Sequence, residues 1–189
     1  MAYEHHILLL TGRPGVGKTT VLRKAAELLA GWRIAGFYTE EMRESGTRTG
    51  FRGLAFDGAS EAVIARADDP GQPRIGRYAV DVAAIDEIAG ATLRFDEDEV
   101  DAVLIDEIGK MECLASEFLD SVTDLLDTAL PMVATVARQG TGLIAEVKNR
   151  PDALVWEVTP DNRDRLPAEI VAWLQDHRKV ADELAQAEG

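Results

Sequence analysis

Apolar runs that alternate with amphipathic helices predict an α/β domain built on a mostly parallel sheet flanked by helices. Three observations carry this. HHILLLT (5–11), DAVLID (101–106) and PMVATVA (131–137) are short runs apolar enough to be strands buried on both faces. Helical periodicity follows each of them. A glycine-rich turn, GRPGVGK (12–18), joins the first run to its helix.

The elements follow in order. HHILLLT is the first strand. TTVLRKAAELLA (19–30) is a helix, with Val21, Leu22, Ala25, Leu28 and Leu29 on one face and Gly31 ending it. RIAGFYTEEM (33–42) and RTGFRGLAF (48–56) flank the turn ESG and predict a hairpin. EAVIARA (61–67) is a further strand, and 33–67 forms an antiparallel annex to the main sheet. The loop DDPGQPRIG leads to a short strand, RYAVDV (77–82), and residues 83–95 form a helix. DAVLID is the next buried strand. In ASEFLDSVTDLLDTAL (115–130), Phe118, Val122, Leu125 and Leu126 share a helical face. PMVATVA is again a strand, TGLIAEVK (141–148) a short helix and ALVWEVT (153–159) the last strand. From Asp164 onward, Leu166, Ile170, Trp173 and Leu174 form a helical stripe, and 175–189 reads as a polar C-terminal tail. No repeat and no second domain is evident, so 1–189 reads as one domain.

The charge balance narrows the partners. The formal net charge is −14, with a pI near 4.6. Such a field repels phosphate backbones and argues against a broad nucleic-acid surface, while a small positive pocket for a nucleotide stays compatible with it. The single cysteine, Cys113, cannot form an intrachain disulfide and reads as a small buried hydrophobe. No basic signal segment and no membrane-length apolar run is seen, and the expected compartment is the cytoplasm. His5 and His6 are adjacent, so in a strand they point to opposite faces and do not make a metal site together.

The chemistry is concentrated in two stretches. Residues 12–19, GRPGVGKT, fit the phosphate-binding pattern G-x-x-x-x-G-K-S/T, with a strand before and a helix after. Gly12, Gly15 and Gly17 let the backbone curl and turn its N–H groups inward. The helix beginning near Gly17 adds its positive end. Lys18 can reach the β- and γ-phosphates, and the Thr19 hydroxyl can ligate Mg²⁺. Arg13, Pro14, Val16 and Thr20 complete the nucleotide-binding segment.

The second stretch is VLIDEIGKME (103–112), where a buried strand ends in two acids. Asp106 is placed to hold a hydrated Mg²⁺ beside the phosphate loop. Glu107 can orient or deprotonate a water at the γ-phosphate, or else cap a following helix. Lys110 and Arg138 are candidate cations for the transition state, though each alone reads more readily as a surface ion pair. Asn162 and Arg163 follow the last strand, where loops line the ligand crevice of such sheets. They are candidate base or phosphate contacts, in competition with simple turn chemistry in TPDN.

The stretches LTGRPGVGKTT, GFYTEE with GTRTGF, IGRYAVDV, VLIDEIGKME, GLIAEVKNRPD and EVTPDNRDRLP together resemble the small P-loop nucleoside-triphosphatases first met in thermophiles, the cancer-related nucleoside-triphosphatase family. The resemblance runs from about residue 7 to residue 174. It implies a RecA-like P-loop fold of the class with a catalytic glutamate. It also implies slow, Mg²⁺-dependent hydrolysis of ATP, GTP and other nucleoside triphosphates with little base preference. The family's nucleotide contacts carry over to Gly12 through Thr19 and to Asp106, Glu107, Ile108, Gly109 and Lys110.

Three readings use these residues. In the first, Lys18 and Glu107 serve hydrolysis. In the second, the same loop passes phosphate to a nucleoside, nucleotide or polynucleotide acceptor, with Arg43, Arg48 and Arg52 of the hairpin as a clamp, against which Glu40, Glu41 and Glu44 on the same hairpin offer these arginines partners of their own. In the third, slow hydrolysis times a partner interaction. No protein partner is specified by any motif.

Overall fold

The computed structural model describes residues 5–187. Two five-stranded sheets share the chain. The elements are β1 (Ile7–Thr11), α1 (Lys18–Leu28), β2 (Ile34–Ala35), β3 (Phe37–Glu44), β4 (Thr47–Ala55), β5 (Glu61–Arg66), β6 (Arg74–Ile75), β7 (Tyr78–Val80), α2 (Val82–Leu93), β8 (Ala102–Ile108), α3 (Ser116–Leu126), β9 (Met132–Val136), α4 (Leu143–Lys148), β10 (Ala153–Glu157) and α5 (Leu166–Ala187).

The main sheet has the order β10-β1-β9-β8-β2, and every pairing in it is parallel. Its strands are continuous apolar runs because both faces are covered. Ile7, Leu9, Val103 and Ile105 pack in one core with residues of α2, α3 and α4. Leu8, Leu10, Ala102 and Leu104 pack in a second core with α1 and α5. The pleat sends alternate residues of β1 and β8 into the two cores. The topology is RecA-like: β9 lies between the strand that feeds the phosphate loop and the strand that ends in the acids. Parallel pairing brings the C-terminal ends of β1, β9, β8 and β10 to one edge of the sheet. The loops that follow them meet there.

The second sheet is antiparallel, with the order β3-β4-β5-β7-β6. It differs from the expected annex at both ends. Ile34–Ala35, expected to begin the hairpin, instead form β2 on the edge of the main sheet. The annex also runs beyond residue 67 and takes in the strand at Tyr78–Val80. The C-terminal segment differs too. Residues 175–187 continue α5 instead of leaving it as a tail, and His177 is buried against the carbonyls of His5 and Trp173. Residues 188–189 lie outside the described residues.

Gly36 joins the two sheets. Its N–H donates to the Thr92 carbonyl at 3.0 Å, and its carbonyl accepts from Phe56 N–H at 3.1 Å. Its φ is +108°, and a Cβ there would lie 1.9 Å from the Leu104 carbonyl oxygen. Only glycine lets the chain leave β2 this close to β8 and enter β3 across the site edge. Gly36→Ala should therefore destabilise the protein by about 3 kcal/mol or more, combining backbone strain with overpacking. Urea unfolding measures this, and a loss under about 1 kcal/mol would show that β2 and β8 tolerate the added carbon.

Candidate active site

The phosphate loop is built by glycine. Gly15 and Gly17 have φ of +76° and +109°. Gly12 is buried, and a Cβ on it would sit 2.8 Å from the Val158 carbonyl oxygen. Gly17 is the N-cap of α1, and its carbonyl accepts the Val21 N–H at 2.9 Å. The first turn of α1 therefore opens directly beneath the loop, with its free N–H groups facing it. Arg13, Pro14 and Gly15 are exposed at the rim, and Thr20 is exposed on the first turn. Lys18 folds back along the loop, with Nζ 3.5 Å from the Gly12 carbonyl.

Asp106 is 1% exposed and carries the densest hydrogen bonding of the site. Its Oδ2 accepts from the Thr19 hydroxyl at 2.8 Å, from the Thr39 hydroxyl at 3.1 Å and from the Thr39 N–H at 3.3 Å. Its Oδ1 accepts from the Thr135 hydroxyl at 2.6 Å. The peptide bond from Asp106 to Glu107 is cis.

Glu107 is half-buried. Burial raises its pKa above the ordinary carboxylate value, Lys18 opposes that rise, Asp106 adds to it and Lys148 opposes it. Lys148, at the end of α4, is anchored by two backbone carbonyls: its Nζ donates to Ala137 and, at 2.9 Å, to Arg138. Ala137 N–H in turn donates to the Ile108 carbonyl at 3.2 Å, so this ammonium is held beside the acid pair. Burial lowers the Lys148 pKa, and the Glu107 carboxylate counters that.

Glu112 is a third acid near the pair, at 6% exposure. Gly109 separates it from Glu107. A Cβ at Gly109 would lie 2.8 Å from Glu112 Oε2 and 3.6 Å from Glu107 Cδ. Burial pushes the Glu112 carboxyl up to about 8, and Glu107 and Asp106 add to the rise.

The other expected residues divide. The Ile108 side chain is fully buried in the core, so only its backbone faces the site edge. Gly109 is buried, and Lys110 is exposed. Arg138 is exposed and contributes its carbonyl to Lys148, not its guanidinium to the site. Asn162 is occupied by its own turn: Oδ1 accepts the Thr159 N–H and Nδ2 donates to the Glu157 carbonyl, both at 2.8 Å. Of its two expected parts, these bonds are those of the turn. Arg163 reaches over the loop, with Nη1 3.2 Å from the Val16 carbonyl. The hairpin arginines are paired internally. Arg43 and Arg48 bond Glu41, and Arg52 bonds Glu40. The expected acceptor clamp is thus engaged within its own sheet.

Thr39, Thr135, Lys148 and Glu112 were not among the expected site residues. Thr135 had a signal, a lone hydroxyl inside an apolar strand run. Lys148 had a weaker one, as one of only five lysines in an Arg-rich chain.

A phosphate loop on a parallel sheet, facing an acid pair on the second strand over, defines the class of P-loop nucleotide-binding domains. The NTPase family profile matches residues 7–171. The chain is 41% identical over 171 residues to nucleoside-triphosphatase THEP1 of Thermotoga sp. (strain RQ2), covering 90% of this chain and 97% of that one. It is 36% identical over 186 residues to the human cancer-related nucleoside-triphosphatase, covering 91% and 98% respectively. The crystal structure of THEP1 from the hyperthermophile Aquifex aeolicus superposes with a TM-score of 0.80 at 34% identity, over 89% of this chain and 98% of that chain. The chain belongs to this NTPase family.

The buried Glu112 gives a pH prediction. Its folded pKa of about 8 stands above its ordinary value of 4.5. The folded state then binds more protons than the unfolded state in that window, and stability falls as pH rises through it. The protonated form's contribution is complete below 4.5 and gone above about 8. Glu112→Gln cannot ionise. Without nucleotide or metal, its stability relative to wild type should rise by about 1 kcal/mol or more between pH 5 and pH 8. Denaturant melts across that range measure this, and parallel pH curves for the two proteins would contradict it.

Proposed function

We propose that the chain is a Mg²⁺-dependent nucleoside-triphosphatase that hydrolyses ATP, GTP and other nucleoside triphosphates slowly and with broad base specificity. The observation that carries this is the 2.8 Å bond from Thr19 to Asp106, which joins the phosphate-loop hydroxyl to the strand-end carboxylate. Glu107 stands next to it and is faced by Lys18.

The donor set suits Mg²⁺. Thr19 and Asp106 offer hard oxygens, few enough for the ion to keep waters and take phosphate oxygens. When bound, the ion neutralises charge on the phosphate oxygens. Thr19 and Asp106 are the residues that would hold it. Lys18 draws the γ-phosphate into the loop and neutralises part of its charge. Glu107 orients the attacking water and accepts its proton. Burial favours that role by moving its proton affinity towards neutrality, while Lys18 and Lys148 keep the carboxylate form available.

Base tolerance is supported beside the loop. A cleft of about 450 Å³ there is lined by Arg13, Pro14, Val16, Val158, Pro160 and Arg163, among others. Proline rings and a guanidinium plane offer stacking to any base. The Asn162 amide is engaged in its own turn. Hydrolysis is favoured over transfer to an acceptor because the hairpin arginines are already paired.

Phosphate release from ATP and GTP tests the reading. Mg²⁺ alone should sustain release with no acceptor present. Glu107→Gln should keep nucleotide affinity and lose kcat by roughly 10²- to 10⁴-fold, the usual range for a general base. Lys18→Ala should weaken nucleotide binding itself. Wild-type turnover in Glu107→Gln would remove Glu107 from the reaction.

A further inference from the structure

The annex sheet reaches into the metal site through one residue. Thr39 sits on β3, paired with Gly53 of β4, and donates twice to Asp106 Oδ2. Thr19 donates to that same oxygen. Asp106 therefore has one oxygen fixed by the main sheet through Thr135, and the other shared between the phosphate-loop helix and the annex.

The neighbours of Thr39 hold β3 against α1. The Arg23 guanidinium lies 4.6 Å over the Tyr38 ring. Glu40 pairs with Arg52 at 2.5 Å and with Arg23 at 3.7 Å. Tyr38 and Glu40 alternate with Thr39 along the strand, so one face grips α1 while the other meets Asp106. Gly36 fixes where β3 begins.

We infer that Thr39 is a positioning residue of the metal site: its hydroxyl and N–H hold the Asp106 carboxylate in the orientation that receives the ion, and they make the annex part of that site. The inference rests on the Mg²⁺ reading above. A carboxylate oriented by hydrogen bonds from its outer neighbours binds metal more tightly, and losing such a partner commonly weakens binding 10- to 100-fold. Coupling is reciprocal, so metal and nucleotide also stabilise β3 where it crosses the site.

Nucleotide binding, not turnover, tests this. Affinity for a non-hydrolysable ATP analogue is measured by calorimetry across a Mg²⁺ titration in wild type, Thr39→Val and Thr39→Ser. Thr39→Ala is the second hydroxyl-free variant should valine prevent folding. Thr39→Val should need about tenfold more Mg²⁺ for the same tightening, with Mg²⁺-free affinity within about twofold of wild type. Thr39→Ser, which keeps the hydroxyl, should match wild type. An unchanged Mg²⁺ requirement in Thr39→Val, or a loss in Thr39→Ser equal to that in Thr39→Val, overturns the inference. A wild-type affinity indifferent to Mg²⁺ overturns it together with the metal reading beneath it.

Discussion

A single buried carboxylate ties the molecule together. Asp106 is a charge at the end of a core strand, where a carboxylate without partners is strongly unfavourable. Its partners come from three separate places: Thr19 on α1, Thr135 on β9 and Thr39 on β3. The hydroxyls that make the burial tolerable are thus the ones that fasten the phosphate loop, the main sheet and the annex to one point. Removing any of them leaves a buried polar group short of a bond, which typically costs about 1–3 kcal/mol. Fold and candidate site share the same interaction.

The site's electrostatics run against the rest of the chain. The net charge is −14, yet Lys18 and Arg163 lie along the loop and Lys148 acts on Glu107. A local cluster of cations over a low-dielectric floor can hold phosphates despite an acidic surface. Asp106, Glu107 and Glu112 supply the opposing charge. Burial resolves part of the crowding by favouring the protonated form of Glu112. It resolves the rest by placing Glu107 within the fields of Lys18 and Lys148. Gly109 lies between Glu107 and Glu112, and a Cβ there would meet the Glu112 carboxylate at 2.8 Å.

Legibility in the sequence followed the range of the interactions. GRPGVGKT spells its own backbone, since glycine, lysine and threonine at those spacings encode a local turn and its helix. Apolar strand runs likewise announced the parallel sheet. β2 was hidden because two residues carry no periodicity, and the true extent of the annex depends on β7 returning to β5 across a loop. Thr39 lies within the GFYTEE stretch, but no feature of that stretch marked it as a site residue. It is an ordinary residue in an alternating strand, and only the long-range approach of β3 to β8 gives it a role. Asn162 was ambiguous because the same side chain suits a turn and a base edge. In the folded loop its amide bonds are those of the turn. For Arg43, Arg48 and Arg52 the sequence offered both a clamp and pairing with the hairpin's own acids, and the pairing register sets them beside those acids.

The most direct measurement is a crystal structure with Mg²⁺ and a non-hydrolysable ATP analogue. Density for the ion about 2.1 Å from the Thr19 hydroxyl, with a bound water between it and Asp106, is the expected result. An ion bound away from both residues, with the phosphates outside the Gly12–Thr19 loop, would contradict the assignment of Asp106 as the point on which the site is built.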